Sequence, residues 1–277
     1  MLVSRPRKWY SLPRALSRCP GASPMIAVLS DVHANLEALR AVLADLAGQG
    51  AASVYCLGDV VGYGPDPRAC LDLAMAWRVV LLGNHDEAAL LGPDGFGPAA
   101  ERAALWTQDQ LAADEPDREA RERRLEFLAG LPRRREEGDL LFVHGSARDP
   151  VREYVYPEDC LDLGKMERIF ALVERYCFQG HTHVPGIFTE QLPDDLYQFA
   201  SPEEIGYTHH LNGRKTLCNV GSVGQPRDDD WRACYVLLDG DTIRFRRVEY
   251  DVDAPVRKVW DSVGLDPRLG TRLRRGR

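Results

Sequence analysis

Five short groups in this chain combine carboxylate, amide oxygen and imidazole: Asp31-Val32-His33, Gly58-Asp59, Gly83-Asn84-His85-Asp86, His144-Gly145 and Gly180-His181-Thr182-His183. Each follows an apolar, strand-like run, the first being Ile26-Ala27-Val28-Leu29-Ser30. Taken singly they are ordinary. Asp-x-His is a turn or a solvated pair, Gly-Asp a turn signal, Gly-Asn-His-Asp a loop, and His-x-His a ligand pair in a minority of cases. Their joint order changes the reading, because five of the seven histidines fall in these endings. Divalent ions of hard or borderline character take carboxylate, amide oxygen and neutral imidazole. Asp31, His33, Asp59, Asn84, His144, His181 and His183 are therefore seven candidate ligands, too many for one open tetrahedral site and about right for two ions sharing a bridging carboxylate. Asp31 and His33, two apart, can turn to the same side on leaving a strand; His181 and His183 share that spacing but need not bind the same ion.

Strands and helices must bring these endings together. After the first strand, Leu36, Leu39, Val42, Leu43 and Leu46 recur at helical spacing, and Asn35 is placed to cap the first turn. Ser53–Leu57 is the next strand, the Gly62-Tyr63-Gly64-Pro65 segment a loop, and Pro67 suits the first turn of a second helix. Val79–Leu82 is a third strand. Residues 98–131 read as helical and charge-rich, with Leu105, Trp106, Leu125 and Leu128 facing the core. Strands at Asp139–Val143 and Tyr176–Gln179, separated by a helical stretch near Leu161–Glu174, then lead into the last two histidine groups. Beyond them the chain turns to strands: Asn212-Gly213 and Asp239-Gly240 are hairpin signals, Thr242–Tyr250 alternates, and His209 and His210 read as polar strand-end residues. An α/β first half and a strand-rich second half imply two stacked sheets with helices outside them. Ligands of such folds collect at the carboxyl ends of strands.

Composition narrows the class. At 277 residues and 44% apolar content, with no apolar run near the roughly 18 residues of a membrane span, the chain reads as a protein with no membrane partner. The net charge of −7 hides five basic groups and no acids in residues 1–24, and five arginines and no acids in 267–277, which leaves −17 for the body between them. Short basic ends are expected to be solvated, and an acidic body disfavours nucleic acid as a partner unless bound cations offset it. The seven cysteines show no CxxC spacing, and Cys56, Cys177, Cys218 and Cys234 lie in apolar runs, which points to a reducing cytoplasm. Residues 1–24 hold four prolines among the basic groups and no continuous apolar stretch. They read as a disordered tail ahead of a single domain over 25–277, or as lying upstream of a true start at Met25.

The full set of endings resembles the calcineurin-like metallophosphoesterase superfamily, in its prokaryotic predicted phosphodiesterase branch. The similarity runs from Met25 nearly to the C-terminus and takes in Gly62-Tyr63-Gly64-Pro65 and the segment Asn219-Val220-Gly221-Ser222-Val223-Gly224-Gln225-Pro226-Arg227. The resemblance implies a four-layer αββα sandwich of two mixed β-sheets flanked by helices, in agreement with the strand and helix pattern. It implies that Asp31, His33 and His183 hold one metal, that Asn84, His144 and His181 hold the other, and that Asp59 bridges them. His85 would face the substrate phosphate as general acid, with Asp86 as its orienting partner.

The implied activity is phosphodiester or phosphomonoester hydrolysis by a metal-bridging hydroxide, with two divalent ions (Mn, Fe, Zn, Co or Ni, with Mn favoured) as cofactors. A small phosphorylated substrate or nucleotide is the expected partner, and two bound cations would invert the local field of the acidic body. A phosphoprotein substrate, a dinucleoside polyphosphate substrate and a non-catalytic scaffold are the alternatives, and His85 with its complete ligand set argues against the scaffold. Tyr63 and Arg227, each in a Gly-rich loop, are candidate substrate contacts, as is Asn35, for which helix capping is the competing role. Specificity is assigned to the loops Gly62–Pro67, Gly92–Pro98 and Asp149–Glu158.

Overall fold

The computed structural model describes residues 24–113, 117–191 and 196–277. The basic tail expected at 1–24 lies, up to residue 23, outside the described residues. In chain order the first half runs β1 (Ile26–Leu29), α1 (Leu36–Gln49), β2 (Ser53–Cys56), α2 (Pro67–Ala74), β3 (Val79–Val80), α3 (Asn84–Leu91), α4 (Pro98–Ala112) and α5 (Arg118–Ala129). Then follow β4 (Arg134–Glu137), β5 (Leu140–Val143), a 3-10 turn at Pro157–Leu161, α6 (Leu163–Phe170), β6 (Tyr176–Gln179), β7 (Gly186–Gln191) and β8 (Leu196–Ala200). The chain ends with β9 (Thr208–His210), β10 (Thr216–Asn219), β11 (Ala233–Asp239), β12 (Thr242–Val248), α7 (Asp253–Asp261) and α8 (Pro267–Leu273).

Two six-stranded sheets result, ordered β3-β2-β1-β11-β12-β9 and β4-β5-β6-β10-β7-β8. Both are mixed: β1 is parallel to β2 and antiparallel to β11, while β10 is parallel to β6 and antiparallel to β7. Side-chain alternation sorts each strand between two layers. Ala27 and Leu29 of β1, with Tyr235 and Leu237 of β11, pack outward against Leu39, Val42 and Leu46 of α1 and Leu71 of α2. Val28, Val236 and Leu238 point the other way and meet Phe142, Phe178 and Cys218 of the second sheet. Leu141, Cys177 and Leu217 complete the pattern by packing outward on Met166, Ile169 and Phe170 of α6. The molecule is thus helices, sheet, sheet, helix, as expected from the sequence, with every central strand buried on both faces. Full burial of each such side chain contributes about 1.5–3 kcal/mol.

Several local expectations need correction. Val79–Leu82 pairs with β2 only over Val79 and Val80, because the chain then leaves the ladder toward the site. The helical stretch 98–131 is divided into α4 and α5, and Leu105 lies 45% exposed on α4 while Ala103, Ala104, Thr107 and Leu111 are its buried residues. Asn212-Gly213 is not a hairpin, since it joins β9 of one sheet to β10 of the other. Asp239-Gly240 is one, between β11 and β12. His209 and His210 sit on the edge strand β9. The C-terminal arginines, expected to be solvated, fold onto the body as α8 and its flank: Arg268 pairs with Asp266, Arg274 with Asp253 and Arg277 with Asp229.

Candidate metal centre

The central strands of both sheets end at one place. Asp31 and His33 follow β1, Asp59 follows β2, His144 follows β5, His181 and His183 follow β6, and Asn84 and His85 open α3. Backbone hydrogen bonds lock these loops to one another. Asp31 N donates to Gly58 O (3.0 Å), His33 N to Asp59 O (2.9 Å), Gly180 N to His144 O (3.0 Å) and Gly224 N to Asp31 O (2.9 Å). The two sheets are joined there by His181 N, which donates to Asp31 Oδ2 (3.0 Å). Asp31, His33, Asp59, Tyr63, His181 and His183 all have φ between 46° and 67°, a left-handed backbone that costs non-glycine residues energy and clusters at functional sites.

All seven predicted ligands converge, and all are at least nine-tenths buried. One group is Asp31, His33 and His183, with His183 Nε2 3.2 Å from Asp31 Oδ1 and 3.0 Å from His33 Nε2. A second is Asp59, His144 and His181, joined by the Asn84 amide: His144 Nε2 lies 3.2 Å from Asn84 Oδ1, 3.1 Å from His181 Nδ1 and 3.3 Å from Asp59 Oδ2. The same Asp59 oxygen is 3.6 Å from His33 Nε2, which places this carboxylate between the two groups. His85 belongs to a third cluster with His33 and Asp59.

Hydrogen bonds on the far side of each ring show which nitrogens are bare. A carbonyl only accepts, so His33 Nδ1 donates to Val61 O (3.2 Å) and His183 Nδ1 to Gln225 O (2.5 Å). Their Nε2 atoms then face each other with lone pairs at 3.0 Å. His181 Nε2 likewise donates to Arg152 O (3.1 Å), leaving Nδ1 bare toward His144. Two lone pairs at that distance repel unless a cation lies between them. The unpartnered, buried Asp31 Oδ1 beside His183 adds a charge with the same need. These residues fit divalent metal, and the carbonyl partners are the usual outer contacts that fix a ligating imidazole.

Electrostatics agree. Burial pushes His33 and His183 below the usual imidazole range and His181 down to about 3, so all three are neutral ligands at neutral pH. Burial also raises Asp59, but His144 outweighs it and holds this carboxylate ionised. As protein groups alone, His144 is the exception: against burial, Asp59 lifts it to about 9. A single proton there serves the three acceptors Asn84 Oδ1, His181 Nδ1 and Asp59 Oδ2.

The remaining predicted residues divide. His85 is 5% exposed, its backbone N donates to Asp59 Oδ1 (2.8 Å), and its Nδ1 is buried without a partner against Gly62. Nε2 is therefore the nitrogen left to meet a substrate oxygen. Asp86 is not its orienting partner: its carboxylate accepts from Val61 N and Gly83 N, both at 3.1 Å, capping α3 and fixing the loop after Asp59. Burial, then Asp59, raises Asp86 to about 7. Asn35 is likewise a structural residue. Its Oδ1 caps α1 through Ala38 N, and its Nδ2 donates to Gly224 O and Tyr250 Oη. Tyr63 and Arg227 do reach the site: the Tyr63 ring is 4.8 Å from His33 and 4.3 Å from His85, and the Arg227 guanidinium lies 5.7 Å from the Tyr63 ring centre.

Two of the loops expected to set specificity reach the site through aromatic residues that no motif marks. Tyr154, from Asp149–Glu158, stacks on His181 at 3.7 Å, and Phe96, from Gly92–Pro98, lies 4.7 Å from His85. An aromatic residue amid glycines, and a Tyr-x-Tyr in a loop, were the available signals. The carbonyls of Val61, Gln225 and Arg152 carry no side-chain signal at all.

Residues 25–242 match the model of the calcineurin-like phosphoesterase superfamily domain. The chain is 34% identical over 266 residues to the uncharacterized protein MJ0912 of Methanocaldococcus jannaschii, an overlap covering 91% of this chain and 98% of that one. The crystal structure of a metallophosphoesterase from Sphaerobacter thermophilus is 36% identical, with a TM-score of 0.78, and the match covers 93% of this chain and 100% of the other. The hypothetical protein PH1004 from Pyrococcus horikoshii OT3 shares the fold at 19% identity, with a TM-score of 0.71 over 92% of this chain and 99% of that one. Strand order, convergent ligands and these likenesses agree: the chain belongs to the calcineurin-like phosphoesterase superfamily.

Proposed function

We propose that this chain is a dinuclear-metal phosphoesterase acting on a small phosphorylated substrate, in which His85 protonates the leaving oxygen. The observation that carries this reading is the contact of two bare nitrogens, His33 Nε2 and His183 Nε2 at 3.0 Å, beside the Asp59 carboxylate that also faces the His144 group. Two divalent ions held by these groups would supply Lewis-acid activation of water and neutralise charge on the phosphoryl oxygens.

The chain's own residues supply the rest. Burial holds His85 down at about 4, so it is neutral at neutral pH until an anion approaches. A phosphate oxygen at hydrogen-bond distance favours the protonated ring, which then can give its proton to the leaving oxygen. Tyr63 packs against His85 and His33 and limits their movement. Arg227, whose backbone N donates to His183 O at 3.3 Å, carries a fork-shaped cation suited to phosphate. The mixed nitrogen and oxygen ligands accept Mn, Fe, Zn, Co or Ni, and we favour Mn. Six cysteines, Cys56, Cys70, Cys160, Cys177, Cys218 and Cys234, are free among the described residues, which supports a reducing, cytoplasmic setting. No helix among the described residues is long and apolar enough to cross a membrane.

Reconstitution with Mn²⁺ followed by elemental analysis and an aryl phosphodiester assay tests the reading. Two ions per chain with turnover are expected. Two ions without turnover on monoesters, diesters or nucleotide polyphosphates would replace the enzyme with a metal-site scaffold, and failure to bind two ions would overturn the centre itself.

A further inference from the structure

Glu87 lies on α3 three residues after Asn84, is 6% exposed, and is none of the candidate ligands. A carboxylate this buried is costly unless it is paired. Its two oxygens divide between two arginines: Oε1 accepts from Arg133 Nη2 at 2.5 Å, and Oε2 from Arg152 Nε at 3.2 Å and Nη2 at 2.8 Å. Arg152 carries the connection inward. Its backbone carbonyl accepts the Nε2 proton of His181 at 3.1 Å, across the ring from the bare Nδ1 that faces His144. Arg152 therefore joins α3, which presents Asn84, to the imidazole of the same ligand group.

The loop around Arg152 has ties of its own. Pro150 O accepts from His144 N (3.0 Å) and Gly145 N (2.8 Å), Ser146 Oγ donates to Glu153 Oε2 (2.5 Å), and Lys165 Nζ to Tyr154 O (2.8 Å). These keep the loop on the end of β5 and on α6 whether or not Glu87 is present. At Arg152 itself less is left. Its N–H donates within the loop to Asp149 Oδ1 (3.1 Å), and its guanidinium lies 3.6 Å from Asp94, which is 87% exposed and so adds little. Among the described residues, Glu87 is the buried group outside the loop, besides His181, that holds Arg152. The acceptor behind a ligating imidazole fixes the orientation of the ring, so whatever places that acceptor acts on the metal.

We propose that Glu87 is a positioning residue for the second metal: by holding Arg152 it sets the carbonyl that orients His181, and with it the affinity of the Asn84, His144 and His181 group for its ion. This rests on the two-ion reading of the site and goes beyond it in assigning a residue that touches neither ion. The variants that test it are expected to fold. Arg152 and Arg133 are 51% and 59% exposed, so both turn to water when Glu87 is replaced, and when Arg152 is replaced the buried carboxylate keeps Arg133.

The full chain, stripped of metal, is titrated with Mn²⁺ by calorimetry. Wild type takes up two ions, and Glu87→Gln and Arg152→Met each weaken one of them roughly 10- to 100-fold while the other is unchanged. The sign separates positioning from charge. Glu87→Gln removes a negative charge and Arg152→Met a positive one, so a purely electrostatic influence would weaken binding in the first and strengthen it in the second. The double variant loses no more than either single one, because both changes break the same link. Arg133→Met, which frees the other Glu87 oxygen and leaves Arg152 held, binds both ions as wild type does. A second readout needs no metal: in histidine-selective ¹⁵N spectra of the metal-free chain, the His181 Nε2 proton exchanges faster with water in Glu87→Gln and Arg152→Met, while the His183 Nδ1 proton, held by Gln225 O, does not change. Opposite signs in the two single variants, additive losses in the double one, a loss in Arg133→Met equal to that in Glu87→Gln, or an unchanged His181 proton would overturn the positioning role and leave the two-ion centre standing. Fewer than two ions in wild type, with the His181 proton exposed in both variants, would sink the two-ion reading and retain the positioning of His181 by Glu87. Fewer than two ions with an unchanged His181 proton would overturn both.

Discussion

Asp59 and His85 are joined by a single hydrogen bond, from the His85 backbone N to Asp59 Oδ1 at 2.8 Å, yet they serve different parts of the site. The other Asp59 oxygen faces His33 and His144 together, so its charge is shared by both ligand groups. Asp59→Asn should therefore lower bound metal below two ions per chain, as read by elemental analysis. His85 contributes a ring packed against Tyr63 and Phe96, with Nδ1 buried against Gly62 and without a hydrogen-bond partner. His85→Ala should keep two ions and lower kcat about 10²- to 10⁴-fold. Equal metal loss in the two variants would refute this division. At this scale the residues that converge were legible in the sequence because each is a polar side chain directly after an apolar run. The role of Asp86 was not, because a carboxylate at the third position of a helix can serve either a neighbouring ring or the helix's own first turn, and only the backbone path decides between them.

Between elements, contact distance and charge set what can change. Gly180 ends β6 where it passes the end of β1, and a Cβ there would meet Ser30 Oγ and lie 2.5 Å from Asp31 Oδ2. Gly180→Ala should separate the two sheets locally at a cost of about 1–3 kcal/mol and weaken metal binding, seen as a lowered urea midpoint together with a reduced metal titration endpoint. The outer layer is tied down by charge. Asp45 of α1 accepts from Tyr235 Oη of β11 at 2.6 Å and from both Nε (3.2 Å) and Nη2 (2.8 Å) of Arg246 in β12. Burial raises the Asp45 pKa, but the bonds from Arg246 and Tyr235 outweigh it and hold it below the usual carboxylate value. A lowered folded pKa means stability that is present above the unfolded value, near pH 4, and lost as pH falls through the folded one. With Arg246 38% exposed, solvent screening limits the effect to about 1–2 kcal/mol. Wild type and Asp45→Asn should differ by that amount in denaturant melts at pH 7, and the difference should shrink as pH falls through the folded pKa of Asp45. Strands and helices with clear periodicity, such as α1 and β12, were legible; β4 was not, since its Arg134–Glu137 run is charged throughout and is a strand only because β5 offers a ladder beside it.

The whole molecule closes on its site from the far end of the chain. Residues 267–277 looked like a solvated basic tail, because five arginines without an acid carry no apolar periodicity strong enough to announce a helix. Apart from Asp266, which directly precedes the segment and pairs with Arg268, the acids that pair with them, Asp253 and Asp229, lie elsewhere, and pairing of that kind is not visible along one segment. Once folded, α8 buries Leu269 and Leu273 to 4% and 6% exposure. Leu269 packs with Ala103 of α4 and Val259 of α7 in a cluster that also holds Tyr63. A small gap lined by His33, Asn35, Tyr63, Leu269 and Leu273 connects this cluster to the candidate metal centre. The C-terminal helix is therefore the outer wall behind Tyr63, which in turn backs His33 and His85. Deleting residues 267–277 removes two buried leucines worth about 3–6 kcal/mol together, and the melting temperature should fall on the order of 10 °C. Freed on that side, Tyr63 no longer limits the two imidazoles, so kcat should drop in the truncated protein even at temperatures where calorimetry shows it folded and elemental analysis finds both ions. A melting temperature and a kcat within error of the full chain would mean that the last helix is an appendage and that Tyr63 is held by the Gly62–Pro65 loop alone.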